Sequence, residues 1–336
     1  MSPPFVFAGI IMSNLITVED IAAAERGIDG LVLRTPSVAS PGLAAHLGSR
    51  IVLKLELLQK TGCFKPRGII NKLLSLTAEE KSRGLITVSG GNHGIAIAAI
   101  GKEMGIAITV VMSEKAPKRS QARIRASGAT LLLTPDAGAA FALAEEECAA
   151  KGMTYIHSYD DPKIIAGHGT VGRELIADHP DLSDVLISIG GGGLISGCAV
   201  ALKAANPRIR IWGVETEGAD AMTRALAKGA PEQIAVTSIA TTLGAPSVTE
   251  RTLSHVQALV ETVFTISDAD AVGGVITLAE EAKVFAEPAA GCLIPAARQV
   301  IARVGPEAKL GLIICGGNIA FSDVAGWVKK FGLSAA

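Results

Sequence analysis

The stretch Leu53-Lys-Leu-Glu-Leu-Leu-Gln-Lys-Thr-Gly-Cys-Phe-Lys-Pro-Arg-Gly68 decides the fold. Ile51, Leu53, Leu55 and Leu57 alternate with Lys54 and Glu56, a period that predicts a β-strand. A turn follows at Thr61-Gly62, and Lys65 then sits between Phe64 and Pro66 at the mouth of a strand-turn-helix. An amine in apolar surroundings loses its proton more readily, because desolvation disfavours the ammonium form. A neutral lysine amine is a nucleophile suited to Schiff-base chemistry.

Outward from this stretch, short strands and helical patterns alternate. Strands are expected at Leu85–Val88, Ile108–Met112, Thr130–Leu133, Thr154–His157, Val185–Ile189, Ile209–Val214 and Leu310–Cys315. Several are apolar on both faces, as buried parallel strands are. Helices are expected between them, among them 95–104, 120–127, 137–150, 169–177, 194–205, 219–228, 268–281 and 289–304. This alternation predicts a doubly wound α/β fold. Before it, Thr17-Val-Glu-Asp20 reads as a helix start with acidic residues in the first turn.

Composition sets bounds on function. A chain of 336 residues suggests about two domains. With 49% hydrophobic residues and a net charge of −1, it offers a large core and no electrostatic footprint for nucleic acid or an acidic membrane. Five scattered cysteines without a CxxC pair fit reduced thiols and a cytoplasmic setting. Pro3–Met12 is apolar but short and lacks a basic flank, so neither a signal peptide nor a membrane span is expected, and Met12 offers an alternative start. The tail after Cys315 reads as one short helix, with no appended regulatory domain expected.

Three further motifs carry chemistry. Ser89-Gly-Gly-Asn-His-Gly94 joins a strand to a helix, and its glycines let backbone amides approach an anion. Gly190-Gly191-Gly192-Gly193 precedes Leu194 in the same context, where a nest of amides at a helix start suits a phosphate. A dinucleotide fingerprint there would need glycine at Ile195 or Ser196, and a P-loop would need lysine at Cys198, so both readings fail. Cys315-Gly-Gly-Asn318 ends the last strand.

Taken together, these motifs resemble those of the fold-type-II pyridoxal-phosphate (PLP) enzymes. Thr61–Gly68 is most similar to the dehydratase motif Thr-Gly-Ser-Phe-Lys-x-Arg-Gly, with Cys63 in place of serine. Ser89–Gly94, the tetraglycine, Glu287-Pro288 and Cys315–Asn318 follow in family order, and the resemblance runs from about Thr17 to Asn318. It implies a tryptophan-synthase-β-like α/β fold of two doubly wound domains with PLP between them: a large domain over 1–76 and 161–336, and a small one over 77–160. It implies that Lys65 carries the cofactor beside Phe64, that Asn92 bonds its 3′-oxygen, that Gly190, Gly191, Gly192, Gly193 and Leu194 hold its phosphate, and that Cys315 faces its pyridine nitrogen. A neutral thiol there makes the ring a weaker electron sink than an aspartate would. Thr61, Ser89, Gly90, Gly91, Asn92 and His93 are implied to hold the substrate carboxylate. Some relatives bind a cation with residues matching Glu215 and Ala219, but their aspartate position falls on Ala221, one past Asp220, so no metal is expected. His168 stands where glutamine is usual, as a packing variant or a change of specificity.

The implied activity is a PLP-dependent ammonia-lyase that converts a β-hydroxy-α-amino acid, serine or threonine by default, to a 2-oxo acid and ammonia. Phenylserine or 3-hydroxyaspartate is an alternative substrate. An amino-acid racemase on the same scaffold is the nearest rival, yet Gly90 stands where serine racemases place the serine serving the second face of Cα. β-Replacement enzymes carry a different lysine motif. A small amino-acid ligand and a homodimer are expected.

Overall fold

The computed structural model describes residues 15–333, so the apolar segment Pro3–Met12 lies outside the described residues. Among the described residues ten strands form two sheets. The larger contains β1 (Ser37–Ala39), β2 (Arg50–Lys54), β7 (Asp184–Ser188), β8 (Arg210–Thr216), β9 (Thr262–Ile266) and β10 (Lys309–Ile313). Their order is β1-β2-β10-β7-β8-β9, with β1 antiparallel and every other pairing parallel. The smaller contains β3 (Leu85–Val88), β4 (Ile108–Ser113), β5 (Thr130–Thr134) and β6 (Thr154–Tyr155). It is wholly parallel, in the order β5-β4-β3-β6. The chain thus leaves the large sheet after β2, builds the small one, and returns at β7.

The late strand β10 inserts between β2 and β7, pairing Ile313 with Lys54 and Leu312 with Leu186, and this insertion positions the site. Three parallel neighbours therefore end on the same edge of the sheet, where ligands gather in open α/β folds. The residues that follow those three ends are Thr61–Lys65, Gly190–Gly193 and Cys315.

The strands β7 and β10 are apolar and buried on both faces, as a sheet covered by helices requires. The helix Val18–Ile28 starts on the expected cap, Thr17, which forms a capping box with Asp20. The helices Lys65–Ser75 and Pro162–Asp178 cross closely because Gly68 faces Gly167. A Cβ on Gly167 would lie 2.6 Å from the Gly68 Cα.

The structure departs from the sequence reading in several places; the expected strand Thr154–His157, for one, is only Thr154–Tyr155, and the expected helix 289–304 is broken at Cys292. First, the strand of the quoted stretch ends at Lys54, and Glu56–Leu58 forms a 3-10 turn. Lys54 and Glu56 do not face water; both are fully buried. They are satisfied by partners distant in sequence. The Lys54 ammonium pairs with Glu174, while Arg67 bonds Glu56 and Glu174 at 2.7–2.8 Å. Second, the helix expected from Gly169 begins at Pro162, capped by Asp161, whose carboxylate accepts from the Lys163 amide. Third, β1 and β9 escaped the pattern, being short edge strands only partly buried.

Candidate active site

The three strand ends enclose a cavity of about 480 Å³, open solvent included. Phe64, Lys65 and Cys315 line it together with Gly190, Gly191, Gly192 and Gly193. Residues separated by more than a hundred positions meet there because β2, β10 and β7 are adjacent.

Lys65 is the first residue of the helix Lys65–Ser75. Its Nζ donates to the Ser158 carbonyl at 2.8 Å and lies 5.0 Å from the centre of the Phe64 ring. Burial lowers its pKa to about 8, so its neutral form is accessible near neutrality. Burial also holds the Cys315 thiol well above its ordinary range, with Glu287 adding to the effect. Cys315 is therefore a neutral donor. Cys63, beside Thr61 at 3.8 Å, is likewise pushed up to about 12 by burial.

The tetraglycine can only be glycine. Gly192 has φ of 92°, in the left-handed region, and a Cβ there would meet Thr252 at 2.8 Å. A Cβ on Gly191 would lie 2.2 Å from the Tyr159 ring. The run opens the helix Gly193–Ala205 with no side-chain cap, leaving its first amides free for an anion.

A second cavity, of about 700 Å³ with its open mouth, adjoins the first and shares Asn92, Thr242 and Glu287 with it. Gly90 and Gly91 form part of its wall. Asn92 begins the helix Asn92–Glu103, whose cap residue Gly91 has no side chain to offer. The Asn92 amide donates to Glu287 at 2.9 and 3.2 Å, and its oxygen accepts from Asn318 at 2.7 Å. Glu287 is raised above the ordinary carboxylate range by burial, a shift opposed by bonds from Asn92 and Thr242.

Other expected residues stand back from the cavities. The Ser89 hydroxyl accepts from the amides of Gly91 and Gly94, bracing its own loop. The Thr61 carbonyl accepts from Asn318 and Arg123. Thr61, Ser89 and His93 line neither cavity, and burial keeps the His93 imidazole neutral. His168 also lines neither. It packs edge-on against Phe64, ring centres 4.7 Å apart, in the seam where Gly68 leaves it room.

Glu215 accepts from the amides of Met222 and Thr223, so it caps the helix Ala221–Lys228. Burial pushes its pKa up to about 7. Asp220 is turned to Arg224. Among the described residues no three His, Cys, Asp or Glu side chains converge on a metal position. No helix among them is long and apolar enough to cross a membrane.

The sequence reading missed several lining residues: Tyr159, Ser188 and Thr242 in the first cavity, Arg119, Ser120 and Trp327 in the second. Glu287 was noticed only as part of a motif. For Tyr159, an aromatic side chain against a tetraglycine is the signal, but it is visible only in space.

Comparison with known proteins agrees with this geometry. The family described as "Pyridoxal-phosphate dependent enzyme" matches residues 28–316. The L-threonine ammonia-lyase of Thermotoga maritima is 35% identical over 94% of this chain and 79% of its own length. A threonine deaminase from T.th. superposes with a TM-score of 0.85 at 35% identity, covering 91% of this chain and 99% of that one. Maize serine racemase superposes with a TM-score of 0.86 at 31% identity, covering 94% and 97%.

Proposed function

Because the chain belongs to the pyridoxal-phosphate dependent enzymes, we propose that it is an ammonia-lyase converting a β-hydroxy-α-amino acid of the serine or threonine type to a 2-oxo acid and ammonia. The observation that carries this reading is the single cavity lined by Lys65, the tetraglycine and a neutral Cys315. The residues fit PLP. The glycine run is a cradle that a Cβ would crowd, and the Lys65 amine lines the same cavity. When bound, PLP supplies the electron sink for the pair left at the substrate Cα.

The remaining work falls to the chain itself. The amides of Gly190–Gly193 would hold the phosphate at the start of a helix, where the dipole favours an anion. Phe64, Asn92 and Leu194 line the cavity where the ring would lie, and the Cys315 thiol, held neutral by burial, would face the ring nitrogen without keeping it protonated. A weakly polarised sink favours prompt loss of a β-hydroxyl over a long-lived carbanion. The loop Gly90–Asn92, braced by Ser89, would orient the substrate carboxylate through its amides. Lys65 Nζ, neutral at low cost, takes the Cα proton. The Cα–H and Cβ–O bonds break, water leaves, and hydrolysis of the product yields the 2-oxo acid and ammonia.

The strand grouping supports a division into a large domain, 1–76 and 161–336, and a small one, 77–160. A homodimer in the cytoplasm accompanies this reading, the five scattered cysteines without a CxxC pair suiting a reducing compartment. The test is a screen of L-serine and L-threonine for 2-oxo acid release, with chiral analysis of the residual serine. Release of pyruvate without D-serine is the expected result. D-serine forming as fast as pyruvate would make the chain a racemase.

A further inference from the structure

Loss of a β-hydroxyl needs a proton donor, because hydroxide is a poor leaving group. Lys65 takes the Cα proton, so a second group must serve the oxygen. Glu287 stands where such a group is wanted. It lines the first cavity with Lys65 and Cys315, and the second with Gly90, Gly91 and Asn92. Among the described residues it is the only carboxyl lining the first cavity. The second has one other, Asp323, which is exposed and accepts from the Ala320 amide at 2.9 Å.

The fold fixes this carboxyl in place and leaves it without a cation. The Glu287 amide donates to the Gly316 carbonyl at 3.1 Å, next to Cys315. Gly316 makes room for the side chain, since a Cβ there would stand 2.8 Å from Glu287 Oε1. Oε1 accepts from the Asn92 side chain at 2.9 Å and the Thr242 hydroxyl at 3.0 Å. Oε2 accepts only longer bonds, from Asn92 at 3.2 Å and the Asn318 backbone amide at 3.3 Å. Oε2 is thus the oxygen with room for a proton. None of these partners is charged. The buried carboxylates Glu56, Glu174 and Asp184 each face a lysine or arginine. Glu287, at 1% exposure, has no such partner among the described residues. A buried carboxyl without a cation keeps its proton in preference to its charge. The hydrogen bonds favour the anion, but burial outweighs them. The titratable groups nearby do not reverse this: burial holds Cys63 and Cys315 as thiols and favours the neutral amine of Lys65.

We propose that Glu287 is the general acid of the reaction and delivers its proton from Oε2 to the departing β-hydroxyl. The proposal rests on the ammonia-lyase reading. The Cα–H bond breaks and its proton goes to Lys65. The Cβ–O bond breaks with its electron pair on oxygen, and the Glu287 proton completes a water molecule. Lys65 is left as ammonium and Glu287 as carboxylate. Both line one cavity, so a single proton transfer between them through water restores the starting forms. No oxidant or reductant is involved.

The experiment compares two substrates of the PLP-loaded enzyme that give the same product, pyruvate. L-Serine loses hydroxide and needs the acid; β-chloro-L-alanine loses chloride and does not. Glu287→Gln keeps the size of the side chain and removes the transferable proton. It should lower kcat/KM for L-serine about a hundredfold and that for β-chloro-L-alanine by less than about threefold. Glu287→Asp keeps an acid and should recover part of the serine activity. Infrared difference spectra of the PLP-loaded wild type against either variant should show, near neutral pH, the carbonyl stretch of a protonated carboxyl. Equal losses on both substrates, in either variant, would make Glu287 a structural residue and overturn the proposal. A serine rate that Glu287→Gln leaves unchanged also overturns it, since the proton then comes from another donor, such as the cofactor phosphate or the Lys65 ammonium. So does an infrared spectrum that shows an ionised carboxylate. Failure of the underlying reading looks different: neither amino acid yields pyruvate with the wild type, while the infrared band still reports on the Glu287 proton.

Discussion

Replacing Arg67 by methionine tests how the nucleophile is held. Arg67 lies two residues after Lys65 in the same helix and is fully buried. Its guanidinium makes a two-point contact with Glu56 at 2.8 Å and bonds Glu174 at 2.7 and 2.8 Å. Lys54 completes the group through Glu174 and the Thr35 carbonyl, so two cations balance two anions. In Arg67→Met one cation goes and both carboxylates stay. Glu56 then keeps only the Thr35 hydroxyl as a donor. Removing one member of a buried pair costs about 3–5 kcal/mol, because the charge left behind is neither solvated nor paired. Arg67→Met/Glu56→Leu removes one charge of each sign, leaves the Lys54–Glu174 pair intact, and should recover most of that loss. Urea unfolding followed by circular dichroism measures both, with cofactor occupancy recorded alongside. If Arg67→Met stays within about 1 kcal/mol of the parent, or the double variant is no more stable than the single, the network does not hold the helix as argued.

Three further outcomes are expected. The Lys65 pKa of about 8 lies below the ordinary lysine value of about 10.4, so at pH 7 about one amine in ten is neutral instead of about one in 2500. PLP attachment to the apoprotein should therefore speed up with rising pH and level off above about pH 8, as followed by absorbance. A rate still climbing at about pH 10 would mean an unperturbed amine. Gly191→Ala drives a Cβ to 2.2 Å from the Tyr159 ring and should weaken PLP binding about tenfold in equilibrium dialysis, with Tyr159→Ala restoring part of it. Cys315→Ser should retain elimination, because a hydroxyl offers the same donor, whereas Cys315→Asp should slow it by holding the ring nitrogen protonated. Loss of activity in the serine variant at full PLP occupancy would remove Cys315 from its assigned place.

The local chemistry was legible in the sequence, and its assembly was not. Four consecutive glycines before a helix mark a phosphate nest wherever they fall, because the backbone freedom they supply is local. Lys65 between Phe64 and Pro66 marks a desolvated amine for the same reason. The parallel sheets followed from strands apolar on both faces. What pattern did not reveal was the environment of Lys54 and Glu56. Alternation assigns a charged side chain to water by default, and only Arg67 and Glu174, supplied by two other segments, make burial tolerable. Nor could spacing tell that Glu215 is used up by the amides of Met222 and Thr223. Tyr159 against Gly191 and the second cavity with Arg119 and Ser120 depend on how the two sheets meet. The insertion of β10 between β2 and β7 is the tertiary decision that matters most. Sequence singled out Lys65, the tetraglycine and Cys315, because a motif is a property of side chains and their near neighbours. Strand order determined that Lys65, Gly190–Gly193 and Cys315 share one cavity, because pairing between distant segments is set by packing of the whole core.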